Sequence, residues 1–414
     1  MTSINYSGQG GTFCLELDRV KLLLEKLRNP DKNFFVIHVA GTNGKGSVCS
    51  FLETGLISMG IKCGVFMSPE LFCTEDSVRV CGKPIESAKL KNILSRLNSA
   101  SKAVEKELGK PPSAFETLFA AALVHFKKEK CTHVVLECGM GGAGDATNAV
   151  AHSDMCIFSS IGIDHSDYLG DTLAKIAANK CGIIKQGSEV ISAEQKPEAE
   201  EVILEYCKQK NCQLSFVKEL KINRMDFFNP VVSVRFGEIR LSLSGRHQAK
   251  NAALAVSVLE RLGARDKDIV AALTKTVHKA RMEEIRHGIY FDGAHNPDGV
   301  KSMVETLNSV NLSGKINFVT GFMADKDISA CLDEVKKLNN KDIEFFTTKV
   351  HSNPRSETAE NLKNLIEQKG FNATACNNVR QAVKCAKRSG GIVFIFGSLY
   401  MYKELFGEGG EKRR

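Results

Sequence analysis

The sequence predicts an α/β protein of two domains, each built on a mainly parallel sheet. Three observations carry that reading. Near-continuous apolar runs of strand length, such as "FFVIHVA" (34–40), "HVVLECG" (133–139) and "MCIFSSIGI" (155–163), suit strands buried on both faces. They alternate with helical patterns such as "SAFETLFAAALVHFKKE" (113–129). A fresh alternation of the same kind begins after about residue 285, as a second layered domain requires.

The first run leads into the glycine-rich stretch "GTNGKGSV" (41–48), and "SVCSFLETGLISMG" leaves it as a helix with Val48, Phe51, Leu52 and Leu56 on one face. The spacing is not the usual Walker one, which wants a glycine five positions before the Gly-Lys pair and a hydroxyl directly after the lysine. Val39 and Gly46 occupy those places here. Strand, glycine turn and helix in this order nevertheless gather backbone N–H groups and the positive helix end around an anion. Gly41, Thr42, Asn43, Gly44, Lys45, Gly46 and Ser47 are therefore the candidate nucleotide loop. Lys45 supplies a point charge for phosphate, and Ser47 opens the helix with a hydroxyl suited to Mg²⁺. This makes residues 1–283 an N-terminal P-loop domain.

Two acidic or basic strand tips follow. Glu137 ends "HVVLE" and His165 ends "SSIGIDH". Both stand where open α/β sheets bind ligands, and at both an ordinary polar strand tip is the alternative. Lys180 shares a helical stripe with Leu173, Ile176, Ala177 and Ile184. Spacing alone favours an ammonium that snorkels to water over one that is desolvated with a depressed pKa. In the second case the uncharged amine can take up CO₂ as a carbamate, a metal ligand.

Farther on, "VVSVRFGEIRLSLSG" (231–245) reads as an antiparallel hairpin turning at Gly237-Glu238. "HQAKNAALAVSVLERLG" (247–263) reads as a helix closed by glycine. "GIYFDGA", "KINFVTGF", "DIEFFTTKV" and "GIVFIFGS" supply four strands of a smaller, Rossmann-like C-terminal domain, 284–414.

Composition bounds the function. At 414 residues, with 43% hydrophobic and 25% charged content, the chain reads as a two-domain globular protein. No run reaches the ~18 apolar residues of a membrane helix, and the start "MTSINYSGQGG" lacks the apolar core of a signal peptide. A cytoplasmic protein without a membrane partner is expected. The 14 cysteines are scattered, with no Cys-x-x-Cys, and read as reduced structural thiols. The net charge of +8 suits anionic ligands, although a lysine-rich surface accounts for most of it. No basic block carries interleaved aromatics, so nucleic acid is not an expected partner.

Taken in order, "HVAGTNGKGSV", "ECGMGGAGDATN", "IGIDHSDYLGDTLAKIAANKCGIIK", "GRHQAKNAA", "DGAHNP", "FMADKD" and "GSLY" resemble folylpolyglutamate synthase/dihydrofolate synthase, the folate branch of the Mur-type ATP-dependent amide ligases. The resemblance runs from about residue 11 to residue 402. It implies ATP-dependent joining of a folate or dihydropteroate carboxylate to L-glutamate through an acyl phosphate, releasing ADP and phosphate, in a monomer that carries its whole site. It further implies Mg²⁺ near Ser47, Ser68, Glu137 and His165, with Lys180 matching a lysine carbamylated in many Mur-type ligases. Asn251 matches an adenine-side contact and Arg281 an arginine that reaches ATP phosphates. Asp292 and His295 match residues facing nucleotide and glutamate, with Ser398 near the same cleft and Asp145 on the substrate side. By the same resemblance, closure of the two domains completes the ATP site and excludes water.

Departures fall mainly on the folate side. Glu70 replaces the histidine of the usual "SPHL", Ala143 the arginine after "GG", and Asn179 the acidic residue before Lys180; the Trp-Pro-Gly lead-in to Arg281 is missing. They motivate an alternative, a catalytically silent relative or a ligase with a changed acceptor. A peptidoglycan Mur ligase is disfavoured, because the 40 residues ahead of Gly41 are too few for a UDP-sugar domain.

Overall fold

The computed structural model describes residues 16–164, 166–310 and 312–407. The chain forms two compact units, Met1–Leu220 with Lys250–Thr276 and Lys221–Ala249 with Val277–Arg414.

The first unit holds an eight-stranded sheet. Its spatial order is Lys83–Pro84, Val78–Val80, Cys63–Phe66, His133–Glu137, Phe35–Ala40, Met155–Phe158, Glu189–Ala193, Gln213–Val217. The first two strands pair antiparallel at one edge, and the other six are parallel. The apolar runs take central places because helices cover both faces of a parallel sheet. Phe35–Ala40 lies between His133–Glu137 and Met155–Phe158, so the glycine loop leaves the carboxyl end of a central strand. The helix Lys45–Ser58 buries the expected Val48, Phe51, Leu52 and Leu56 and much of its remaining surface. Close approach to a neighbouring helix explains this. A Cβ on Gly55 would lie 2.4 Å from Leu259 Cδ1 of Gln248–Arg261. The helix Ala114–Lys128 starts on a reciprocal cap in which Ser113 accepts from Glu116 N–H and the Glu116 carboxylate accepts from Ser113 N–H.

The second unit has a three-stranded antiparallel sheet, Ile222–Asp226, Asn229–Val234 and Gly237–Arg240. Val234 pairs with Gly237, so the hairpin turns at Arg235-Phe236, two residues before the expected Gly237-Glu238. Gly237, at φ +131°, closes this shorter turn. A six-stranded sheet runs Glu283–Arg286, Ile289–Phe291, Ile392–Phe396, Ile316–Thr320, Ile343–Thr348, Asn372–Cys376, parallel except at its first pair.

The single cut expected between 283 and 284 differs from these units, because residues 221–249 go with the second. Phe228 supplies the physical reason. It is 1% exposed, and its ring centroid lies 5.0 Å from Tyr290 and 5.6 Å from Phe394. Every described cysteine is a free thiol. No helix among the described residues is long and apolar enough to cross a membrane.

Candidate active site

In the first unit the glycine loop is shaped by contacts that demand missing side chains. A Cβ on Gly41 (φ +149°) would lie 2.0 Å from Ser159 Oγ, and one on Gly44 (φ +91°) 2.3 Å from Asn251 Oδ1. Thr42 and Asn43 anchor the loop: their N–H groups donate to Ser160 O at 2.8 and 3.3 Å. Thr42 Oγ1 also donates to Gly162 O and accepts from Gly162 N–H, both at 3.0 Å. No side chain caps the helix at Gly44. The first-turn N–H groups of Lys45 and Gly46 are thus the donors offered to an anion.

Two lysines meet at this loop. Lys45 Nζ donates to Gly41 O and Thr42 O, both at 3.2 Å, and Lys180 Nζ donates to Gly41 O at 2.9 Å. Lys180 is 3% exposed, so the snorkelling alternative does not describe it. Burial, and then the Lys45 charge, lower its pKa to about 7. Charged and neutral forms therefore coexist at neutral pH.

Three of the expected metal residues, Ser47, Ser68 and Glu137, stand at or just beyond the carboxyl ends of neighbouring strands of the eight-stranded sheet. Glu137 pairs in register with Val39, which places its buried carboxylate beside the start of the loop, and Ser47 is buried in the first helical turn. A Cβ on Gly139 would lie 3.3 Å from both Ser68 Oγ and Asp145 Oδ2, so Ser68 belongs with the acidic-motif loop. His165 lies outside the described residues. Among the described residues no three His, Cys, Asp or Glu side chains gather as a metal cage. A hydroxyl and one carboxylate are nonetheless hard oxygen donors of the kind Mg²⁺ takes when phosphate and water complete its shell.

Asp145 is buried and engaged with its own loop. Oδ2 accepts Met140 N–H at 2.8 Å, and Oδ1 accepts Thr147 N–H at 3.0 Å and Thr147 Oγ1–H at 2.6 Å. Burial raises its pKa against these hydrogen bonds. Because Thr147 Oγ1 donates to Asp145, it accepts from His38 Nε2–H at 2.8 Å. Burial holds His38 neutral, with a pKa lowered to about 3. Sequence periodicity had no signal for His38, one polar position inside an apolar strand. Ala143 N–H donates to Asn179 O at 2.8 Å, which fastens the same loop to the Lys180 helix (Leu173–Cys181), while the Ala143 side chain is exposed.

In the second unit, Arg281, Asp292, His295 and Ser398 come together at the carboxyl ends of parallel strands, the usual ligand edge. Asp292 follows Ile289–Phe291, and its two oxygens accept Met282 N–H and Ala294 N–H, each at 2.8 Å. A Cβ on Gly293 would lie 2.2 Å from Arg281 Nη1, so glycine makes room for the guanidinium. His295 Nδ1 lies 2.8 Å from Gly293 O. Ser398 follows the neighbouring strand Ile392–Phe396 and accepts Tyr400 N–H at 3.3 Å. His247 also faces this cluster; burial lowers its pKa, Asp292 opposes that shift and Arg281 adds to it.

Comparison with known proteins gives two family matches, the Mur ligase middle domain over residues 39–259 and the Mur ligase glutamate ligase domain over residues 280–399. The dihydrofolate synthase/folylpolyglutamate synthase of Bacillus subtilis (strain 168) is 29% identical over 408 residues, covering 94% of each chain. That of Buchnera aphidicola is 30% identical over 402 residues, covering 94% of this chain and 92% of the relative. Among solved structures, Mycobacterium tuberculosis folylpolyglutamate synthase complexed with ADP and AMPPCP superposes with a TM-score of 0.87 at 25% identity, covering 95% of each chain. E. coli FolC in complex with DHPP and ADP superposes with a TM-score of 0.85 at 27% identity, covering 98% of this chain and 96% of that one. The mixed α/β fold of both units matches these structures.

Proposed function

This chain belongs to the folylpolyglutamate synthase/dihydrofolate synthase family of Mur ligases, and from that premise we propose that it joins L-glutamate to a folate carboxylate, converting ATP to ADP and phosphate. The observation that carries the reading is the convergence of Lys45 and Lys180 on Gly41 O, at 3.2 and 2.9 Å. The Lys45 ammonium, held at an uncapped helix start, suits a transferring phosphoryl group, whose charge spreads over its outer oxygens, and Lys180 stands beside it for the separate role assigned below.

ATP phosphorylates the acceptor carboxylate. The α-amine of glutamate then attacks the acyl carbon, and the tetrahedral intermediate releases phosphate as the amide forms. Positioning and charge lower this barrier without a covalent enzyme nucleophile. Gly41 through Ser47 form the nucleotide loop, with Thr42 and Asn43 setting its shape. Asn251 is assigned to the adenine side, Arg281 to ATP phosphates, Asp292 and His295 to nucleotide and glutamate, and Ser398 and Asp145 to the substrate side. Ser47, Ser68, Glu137 and His165 are the proposed holders of Mg²⁺, which when bound supplies positive charge to the phosphate oxygens.

Lys180 is assigned to a carbamate. With its pKa lowered to about 7, the neutral amine is abundant at neutral pH. Its nitrogen bonds to CO₂ and a proton leaves to water; the resulting anion would pair with the Lys45 ammonium, and its oxygen would be a further donor for Mg²⁺. A cytoplasmic monomer is part of the same proposal.

For the acceptor we favour a reduced folate, with extension of its glutamate tail, and allow dihydropteroate as a second substrate. The test is product mass after incubation with Mg-ATP, L-glutamate and either tetrahydrofolate or dihydropteroate. A one-glutamate gain on tetrahydrofolate supports the reading, and a gain on both makes the enzyme bifunctional. No gain on either, with ATP bound, leaves the silent or changed-acceptor relative that Glu70 and Ala143 suggest.

A further inference from the structure

The backbone around Arg281 is unusual on both sides. Ala280 and Met282 adopt φ values of +59° and +46°, in the left-handed region that is unfavourable for a residue with a Cβ. Ala280 carries a Cβ and still takes the strained place. Something must hold it.

Two carboxylates do so. Glu283 Oε2 accepts Ala280 N–H at 2.8 Å, and Asp292 Oδ2 accepts Met282 N–H at 2.8 Å. Ala280 O in turn accepts Gly293 N–H at 2.9 Å. Glu283 Oε2 is itself fixed by the hydroxyl of Tyr402, which donates to it at 2.8 Å. Tyr402 is 1% exposed, and its ring meets Phe291 edge-on at 5.0 Å between centroids. A phenol buried to that extent has a fixed oxygen, and the oxygen is spent on the carboxylate that pins Ala280.

We propose that Glu283 and Tyr402 are positioning residues that hold Ala280 in its left-handed conformation and thereby aim the Arg281 guanidinium across Gly293. The proposal rests on the assignment of Arg281 to ATP phosphates. Neither residue touches substrate; each acts through the backbone that carries the arginine.

Tyr402→Phe keeps the ring and removes the hydroxyl. We expect roughly tenfold weaker ATP binding by calorimetry, the factor that matches one lost hold on a left-handed residue. In turnover assays, KM for ATP should rise more than kcat falls, with the melting temperature little changed. Adding Ala280→Gly, which removes the steric cost of positive φ, should restore most of the affinity. A merely structural tyrosine gives no such rescue. Wild-type ATP affinity in Tyr402→Phe, or a loss that Ala280→Gly leaves in place, overturns the proposal. Should Tyr402→Phe not fold, Glu283→Ala with and without Ala280→Gly gives the same pair of readings. ATP affinities that follow the pattern while wild type adds no glutamate would sink the ligase reading and leave the clamp standing. Normal glutamate addition by wild type, together with wild-type ATP affinity in the variants, would sink the clamp alone. Absence of ATP binding by wild type overturns both.

Discussion

Lys180 is asked to be buried and basic at once, and its protonation settles how. Its pKa is lowered from 10.5 to about 7, chiefly by burial. Between those two values the unfolded lysine holds a proton that the folded one has lost, so unfolding takes up a proton and stability rises with pH across that window. Below about pH 7 both states are charged and the folded state bears the full desolvation penalty. The slope in the window approaches about 1.4 kcal/mol per pH unit. Lys180→Met removes this titration. In CO₂-depleted buffer, urea unfolding should therefore show the wild type gaining on the variant from pH 7 to 10. A constant difference would mean that the lysine titrates in its ordinary range. At this scale the sequence was half legible. The stripe of Leu173, Ile176, Ala177 and Lys180 marked a helix face, and Ile176 and Ala177 are indeed buried. Which way the ammonium turned depended on Gly41 O, 139 positions away in the chain. His38 and Glu283 were silent for the same reason: their partners are distant or are backbone atoms.

The proposed nucleotide loop and the helix Gln248–Arg261 depend on one another through a missing methyl group. Gly44 sits at φ +91°, and a Cβ there would meet Asn251 Oδ1 at 2.3 Å and Asn251 Cγ at 3.0 Å. Gly44→Ala therefore adds backbone strain and pushes away the proposed adenine contact together. ATP affinity should fall by roughly 5- to 150-fold, since strain of this kind is on the order of 1–3 kcal/mol. Gly64→Ala serves as the contrast. Its Cβ would lie 2.5 Å from the Phe126 ring in the core, so it should lower stability by about 1–3 kcal/mol through overpacking and leave ATP affinity alone. Equal ATP affinities for Gly44→Ala and wild type would remove Asn251 from the nucleotide site. Elements were legible where burial was continuous: the runs at 34–40, 133–139 and 155–163 became central strands. Ile222–Asp226 was missed because its side chains are mostly exposed and "INRMD" shows no apolar alternation. The hairpin turn was misplaced because Gly237 ends the turn where the sequence suggested it began it.

Division of the whole molecule was the least legible feature, since a chain that leaves a compact unit and returns to it need not change composition at either crossing. Nothing in the residues around 220 or 250 distinguishes the segment between them from its flanks; what ties it to the second unit is long-range contact, an aromatic set around Phe228 and the Arg246 N–H that donates to Thr306 Oγ1 at 3.0 Å. Phe228 sits at 1% exposure against Tyr290 and Phe394, with the Phe227 ring tilted at 45° to it and 4.1 Å away between centroids. It belongs to the same buried cluster as Val300, Phe318, Leu332 and Phe345. Phe228→Ala should therefore cost about 3–5 kcal/mol, and the loss should be confined to the unit whose core it enters. Hydrogen exchange separates the two outcomes. Faster exchange at Ile289–Phe291, Ile316–Thr320 and Ile392–Phe396, with protection kept at Phe35–Ala40 and His133–Glu137, is the expected result. Exchange that quickens instead in the eight-stranded sheet, or quickens equally in both, would mean that residues 221–249 stabilise the first unit. In that event the boundary would fall near the single late cut that composition alone suggests.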